Sequence, residues 1–168
     1  MTNAELQQKR LVAAAIDAGI AMALIVVVSV VAGLSAFVAE WFSGLMFMLG
    51  YVVVLGYVLL RDTLAGGRSF GKKIQQIRVV NTYGAPIALL DSVKRNAIFG
   101  VGFLALILWS FFQMLPVIGC IASCVGWPLV VLATLASLGA VVVEILKVLQ
   151  DPQGVRLGDQ LANTRVVE

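Results

Sequence analysis

Asp17 lies inside a long apolar run, seven residues after Arg10. On a helix that spacing puts the two close to one face. A carboxylate in apolar surroundings is costly, and it marks either a cation or proton site or one half of an ion pair that fixes packing. Direct pairing with Arg10 is disfavoured, because the helical rise separates them by ~10 Å and both side chains lean toward the N-terminus. Arg95 holds the matching place before a later apolar run and is the expected partner. Arg10, Asp17 and Arg95 are therefore the candidate buried ionic site. The packing role is favoured over the coupling role, since Asp17 lies near one end of its run and no second acid lies deep in another. Glu144, near the end of the last run, is expected to pair locally with Lys147.

Other chemistry is sparse. The chain has no His, the commonest proton relay and metal ligand at physiological pH. Cys120 and Cys124 have no further Cys beside them, so no metal site is expected. Their spacing does not suit a disulfide within a helix, and they read as small apolar packing residues. Gly66-x-x-x-x-Gly71-Lys72 has the outline of a phosphate loop. Lys73, however, stands where Ser or Thr should hold Mg²⁺, and no buried strand precedes it, which argues against nucleotide hydrolysis. Glycine-rich backbone opening a helix beside Arg68, Lys72 and Lys73 can still hold an anion, with a phospholipid headgroup the candidate. A solvated basic loop that sets topology explains the same residues equally well. No nucleophile–base constellation is present, so neither an enzyme nor a cofactor is expected.

The elements that position these residues are apolar. Of 168 residues, 61% are hydrophobic and 12% charged, with a mean hydropathy of +1.01; soluble domains carry about 25% charge. Four runs, Leu11–Val38, Gly44–Leu60, Val93–Phe112 and about Pro128–Leu149, each approach the ~20 residues that cross a bilayer as helix. All twelve cations flank them at the same pair of ends: Lys9 and Arg10 before the first, Arg61 to Arg95 between the second and third, and Lys147, Arg156 and Arg165 at or after the fourth. Basic residues are retained on the cytoplasmic side, which implies four spans in a bacterial-type inner membrane with both termini and the central loop inside. The net charge of +3 then points to anionic lipid headgroups rather than nucleic acid. The first run is too long, and too interrupted by Asp17, for a cleavable signal.

Outside the spans, Thr2 with Glu5 makes a capping box, and Asp91 or Ser92 can cap the third span. Ser69–Ile77 reads as a short interfacial helix with Phe70, Ile74 and Ile77 on its apolar side. Arg78–Val80 reads as a strand followed by a turn at Tyr83-Gly84 and Pro86. Gln113–Trp127, broken by Pro and Gly, reads as an outer loop or short re-entrant piece, although a helix extending the fourth span through it also fits.

Gly67-Arg-Ser-Phe-Gly71-Lys-Lys-Ile-Gln-Gln-Ile-Arg78-Val-Val aligns without gaps on Gly154-Val-Arg-Leu-Gly158-Asp-Gln-Leu-Ala-Asn-Thr-Arg165-Val-Val, at an offset of 87. Lys94-Arg95 likewise follows Lys9-Arg10 at an offset of 85. Each half is thus a basic pair, two spans and a Gly-Gly-helix-strand tail, and two spans per unit give both halves one orientation. The strands at Arg78–Val80 and Arg165–Val167 are expected to pair. Asp159 stands where the first copy has Lys72, so opposite charges face each other across the symmetry.

These motifs carry a family likeness. Lys9-Arg10-Leu11…Asp17, Arg61-Asp62, Gly67-Arg-Ser-x-Gly71-Lys72…Arg78-Val-Val and Arg156-Leu-Gly158-Asp159-Gln-Leu-Ala-Asn-Thr-Arg165-Val-Val resemble the RDD family of small membrane proteins over essentially the whole chain. The resemblance makes Arg10 the family arginine and Asp17 its first aspartate; Asp62 and Asp159 both fit the second. Phe70 departs from the pattern, which often has Pro there. Members have been linked to monovalent cation/proton antiport, to regulation of membrane proteases and to membrane quality control, so the likeness implies a fold more than a mechanism. The expectation is an all-α membrane protein forming a single domain over 1–168. Two tandem hairpins (about 1–85 and 86–168) carry short cytoplasmic amphipathic helices and a small two-stranded cytoplasmic β element. Its expected role is a module that binds lipids and other membrane proteins, with a homodimer within reach; the alternative is a small antiporter coupled through Asp17.

Overall fold

A computed structural model describes residues 3–64, 66–150 and 155–167, with side chains described throughout except at 3–4 and 116–125. The Thr2 cap, Gly154 and the side chains of Cys120 and Cys124 lie outside the described residues. The chain folds as α1 (Asn3–Ser35), α2 (Glu40–Leu60), α3 (Phe70–Ile74), β1 (Arg78–Asn81), α4 (Leu89–Gln113), α5 (Pro116–Gln150), α6 (Leu157–Leu161) and β2 (Thr164–Val167). Among the described residues α1, α2, α4 and α5 are long and apolar enough to cross a membrane. Their outward faces carry exposed apolar side chains such as Met22, Leu34, Leu132 and Leu135, as contact with lipid requires.

The helices outrun the apolar runs. Helix α2 begins at Glu40, whose carboxylate suits the positive end of the helix dipole, and the shortest run becomes a 21-residue helix. Helix α4 begins at Leu89, placing Lys94 and Arg95 within it. Asp91 is not the capping residue itself: from the first turn its carboxylate accepts the Ala88 N–H at 3.3 Å, while Ser92 turns inward and donates to the Leu59 carbonyl at 2.7 Å. Gln113–Trp127 is not a loop. Only Met114 and Leu115 break the helix, and Pro116 opens the next one at a position where its missing N–H is not needed. Pro128 is accommodated inside α5, as Pro often is in spanning helices.

Helices α2 and α4 pack together at the centre. Helix α1 packs on α2 and α5 on α4, whereas among the described residues α1 and α5 make no comparable contact. The two short helices close one end of this bundle. Gly71 in α3 seats against the Ala13 carbonyl of α1, and Gly158 in α6 against the Arg95 carbonyl of α4; a methyl group at either would overlap backbone. Each tail then turns through a left-handed residue, Gln76 (φ 57°) and Asn163 (φ 49°), which stand 87 positions apart. Strands β1 and β2 pair antiparallel with Val79 opposite Val166 and Arg78 opposite Val167. Adding 87 to β1 turns the Arg78–Val167 pair into the Arg165–Val80 pair, so the offset maps the ladder onto itself about Val79–Val166. Beneath the ladder Ala13, Ile77, Val79, Ile87 and Val166 form a buried apolar cluster, while Phe70 and Ile74 stay exposed.

Candidate functional site

Asp17 does not use the partner expected for it. Its Oδ1 accepts the Gly71 N–H at 2.9 Å and its Oδ2 accepts the Ser69 hydroxyl at 2.5 Å, and the residue is 2% exposed. Close seating of Gly71 on α1 brings its amide within reach, and Ser69, the N-cap of α3, adds the second donor. The carboxylate of α1 thereby anchors the short helix α3, satisfied by hydrogen bonds rather than by a cation.

Arg95 lies instead at the middle of a chain of buried charges. Its Nε is 2.8 Å from Asp159 Oδ1 and 3.6 Å from Asp62 Oδ2. Arg10 reaches the other oxygen of Asp159 at 3.0 Å, and Arg156 lies 3.5 Å from Asp159 Oδ1. Lys72 pairs with Asp62. Its side chain is turned inward and the residue is 8% exposed, so of the three residues proposed for headgroup contact it belongs to the interior; Arg68 is half-buried and Lys73 exposed. Asn96, fully buried, accepts from Arg61 Nη2 at 3.3 Å and donates to Asp62 Oδ2 at 3.2 Å. Glu144 does not depend on Lys147: its Oε1 accepts the Gly158 N–H at 3.0 Å. Each short helix is thus tied through its seated glycine to an acid on a spanning helix, Gly71 to Asp17 and Gly158 to Glu144.

This crowding sets the protonation states at the bundle end. Burial pushes the Asp62 carboxyl up, but the Lys72 ammonium and the Arg95 and Arg61 guanidiniums outweigh it and hold the group far below the usual carboxylate range. Asp159 is likewise held low, Arg95, Arg156 and Arg10 overcoming its burial. Burial, reinforced by Arg95, brings the Lys72 ammonium down to about 7 despite the pull of Asp62. Both aspartates are therefore ionised at neutral pH, while Lys72 is close to losing its proton.

Above the charges a cavity of about 630 Å³ opens between α1, α4 and α5. Arg10, Asp17, Arg61, Lys72, Arg95, Arg156 and Glu144 line its charged end, and apolar side chains from Ala21, Ile25, Phe103, Leu106 and Leu138 line the rest. Both Nη atoms of Arg95 and one oxygen of Glu144 are buried there without a hydrogen-bond partner among the described residues. Those residues hold no group of His, Cys, Asp or Glu that could bind a metal ion.

A family model described as the RDD family matches residues 7–163. The chain belongs to the RDD family. Together with four apolar helices, this makes it a multi-pass membrane protein. No curated protein and no solved structure matches it significantly. Of the RDD motif residues, the structure brings Arg10, Asp62, Lys72 and Asp159 into one cluster with Arg95 and places Gly71 beside Asp17. Asp62 and Asp159, the two candidates for the second family aspartate, flank one guanidinium. Gly67 supports the strand, its carbonyl accepting the Val79 N–H at 2.8 Å. Arg78 and Arg165 stand exposed on the ladder, apart from the cluster. Ser69, Asn96 and the inward-turned Glu144 were not picked out as site residues from sequence; a polar Asn directly after Arg95 and a Ser two residues before Gly71 were the available signals.

Proposed function

We propose that this RDD protein is a binding and regulatory module of a bacterial-type inner membrane, with its charged end and both termini in the cytoplasm, that holds anionic lipid and associates with other membrane proteins. Asp17 carries the reading. Both its oxygens are committed to Ser69 and Gly71, so the carboxylate is a structural anchor rather than a group free to exchange cation for proton. Asp62 and Asp159 are likewise occupied by cations. The placement of every Lys and Arg at one pair of span ends supports the cytoplasmic orientation.

The two halves, about 1–85 and 86–168, are read as tandem units related by an axis along the membrane normal. The matched seats of Gly71 and Gly158, the left-handed residues Gln76 and Asn163, and a ladder centred on Val79–Val166 support that relation. On this reading the ion cluster joins the halves, since Arg10 of the first reaches Asp159 of the second and Asp62 of the first reaches Arg95 of the second.

The antiport reading is favoured by Glu144 rather than Asp17: one of its buried carboxylate oxygens has no partner among the described residues and the side chain lines the cavity. Flux through purified protein in proteoliposomes, with and without a pH gradient, separates the two. The module reading expects no proton-coupled movement of Na⁺ or K⁺. Coupled flux that disappears in Glu144→Gln while the protein stays folded would establish the antiporter instead.

A further inference from the structure

The geometry points to a lateral lipid site in which an anionic phospholipid places its phosphate on the Arg95 guanidinium and one acyl chain in the cavity between α1 and α5. The inference deepens the module reading and rests on it.

The site begins with broken symmetry. If the halves are related by a two-fold, α1 corresponds to α4 and α2 to α5, so the contact between α2 and α4 has a counterpart between α5 and α1. The first is closely packed and the second is open. The cavity of about 630 Å³ occupies the open one, a volume within the usual range of ligand pockets.

Its lining matches an amphiphile in order and in depth. Along α4 the cavity extends from Arg95 to Leu106, eleven residues or ~16 Å of helix. That is close to half of a ~30 Å hydrocarbon core, and therefore to the reach of one leaflet's acyl chain. Cations crowd the end that faces the headgroup layer, whereas Ala18, Ala21, Ile25, Phe103 and Leu138 line the deeper part.

Arg95 supplies the second, independent observation. It is 1% exposed, and its Nε edge is engaged by Asp159. Both Nη groups remain buried without partners among the described residues, a heavy penalty for a guanidinium unless a ligand completes it. A phosphate offers two oxygens in the geometry that the guanidinium fork accepts. The charges at this end allow it: four guanidiniums, Arg10, Arg61, Arg95 and Arg156, and Lys72, which is close to losing its proton at neutral pH, face Asp17, Asp62, Glu144 and Asp159. Asp17, though it lines the cavity, has both oxygens held by Ser69 and Gly71, and Glu144 has one oxygen held by Gly158.

The test is native mass spectrometry of the full chain, delipidated in a neutral maltoside detergent and titrated with dioleoyl phosphatidylglycerol, dioleoyl phosphatidylcholine or inorganic phosphate. The expected result is one phosphatidylglycerol retained per chain, at least tenfold more tightly than phosphatidylcholine, with inorganic phosphate unable to displace it at equal concentration. Ala21→Phe fills the acyl-chain part of the cavity ~16 Å along α1 from Arg10; it should abolish retention without lowering the thermal midpoint. Arg95→Lys keeps the charge but loses the fork and should weaken retention at least fivefold. Equal retention of the two lipids, or unchanged retention in Ala21→Phe, would overturn the site, and the second criterion holds even where an Arg95 variant fails to fold. Proton-coupled flux would sink the module reading but leave these lipid measurements standing, whereas loss of lipid selectivity would sink the site alone.

Discussion

Arg95 Nε and Asp159 Oδ1 lie 2.8 Å apart with both side chains fully shielded from solvent. They come from α4 and α6, and Arg10 of α1 joins the same carboxylate. Removing the cation leaves Asp159 and Asp62 buried with less compensation, and breaking a buried pair typically costs ~3–5 kcal/mol. Arg95→Met should therefore lower the thermal midpoint in detergent strongly. Asp159→Leu added to it should cost less than Asp159→Leu does alone, because the Arg95–Asp159 pair is already broken, although Arg10 and Arg156 still lose their partner. A double variant that is worse than the sum of the two singles would contradict the pairing.

Asp17 and Ser69 are 52 residues apart in sequence yet share a buried hydrogen bond. Hydrogen bonds to a charged acceptor contribute about 1.5–3 kcal/mol, so Asp17→Asn should destabilise by roughly that amount, and Ser69→Ala by the same or less. In the Asp17→Asn background Ser69→Ala should have little further effect. Thermal unfolding of the four proteins measures the coupling, and strictly additive losses would count against the contact.

How much of this was legible in advance depended on range. The four apolar runs were readable because hydropathy over ~20 residues is a local property. The helix ends were not, since Glu40 and Leu89 extend helices beyond the apolar stretch through end-of-helix electrostatics and packing. Near Pro116 two Pro (Pro116, Pro128) and two Gly (Gly119, Gly126) suggest a loop, but two non-helical residues suffice when Pro falls in the first turn. Asp17 was recognisable as unusual from its surroundings alone, whereas its partners were not. Charge complementarity pointed to Arg95, but neutral donors on α3 satisfied it, because the Gly71 seat brings a backbone amide closer than any cation. Lys72 looked like a surface cation by its place in a basic loop, and the five-residue length of α3 instead rotates it inward onto Asp62.

Gly71 and Gly158 make the same kind of contact at matched places, each against the backbone of a spanning helix. A methyl group there cannot be absorbed by rotating a side chain. Gly71→Ala and Gly158→Ala should each destabilise by about 1–3 kcal/mol, the usual cost of overpacking. Gly19→Ala, where nothing lies within 4 Å of the added carbon, serves as the control and should be neutral or mildly stabilising through helix propensity. Similar midpoints for all three would mean that the short helices are not seated on α1 and α4.

The ion cluster also predicts a pH profile with two limbs. Asp62 and Asp159 titrate below the ordinary 3.8 in the folded protein, so the unfolded chain binds more protons as acid is added. Their contribution is complete above about pH 4 and should be lost progressively below it. Lys72 is lowered from 10.5 to about 7. Between these values the unfolded chain carries the extra proton, so by the same linkage stability rises as pH increases from about 7 toward 10.5. Thermal midpoints in detergent from pH 3 to 10 should accordingly fall on the acid side and gain on the alkaline side. Lys72→Met removes the titrating ammonium, so it should flatten the limb above pH 7 while leaving an acid limb due to Asp159. An alkaline limb of the same height in the variant would show that a group other than Lys72 produces it.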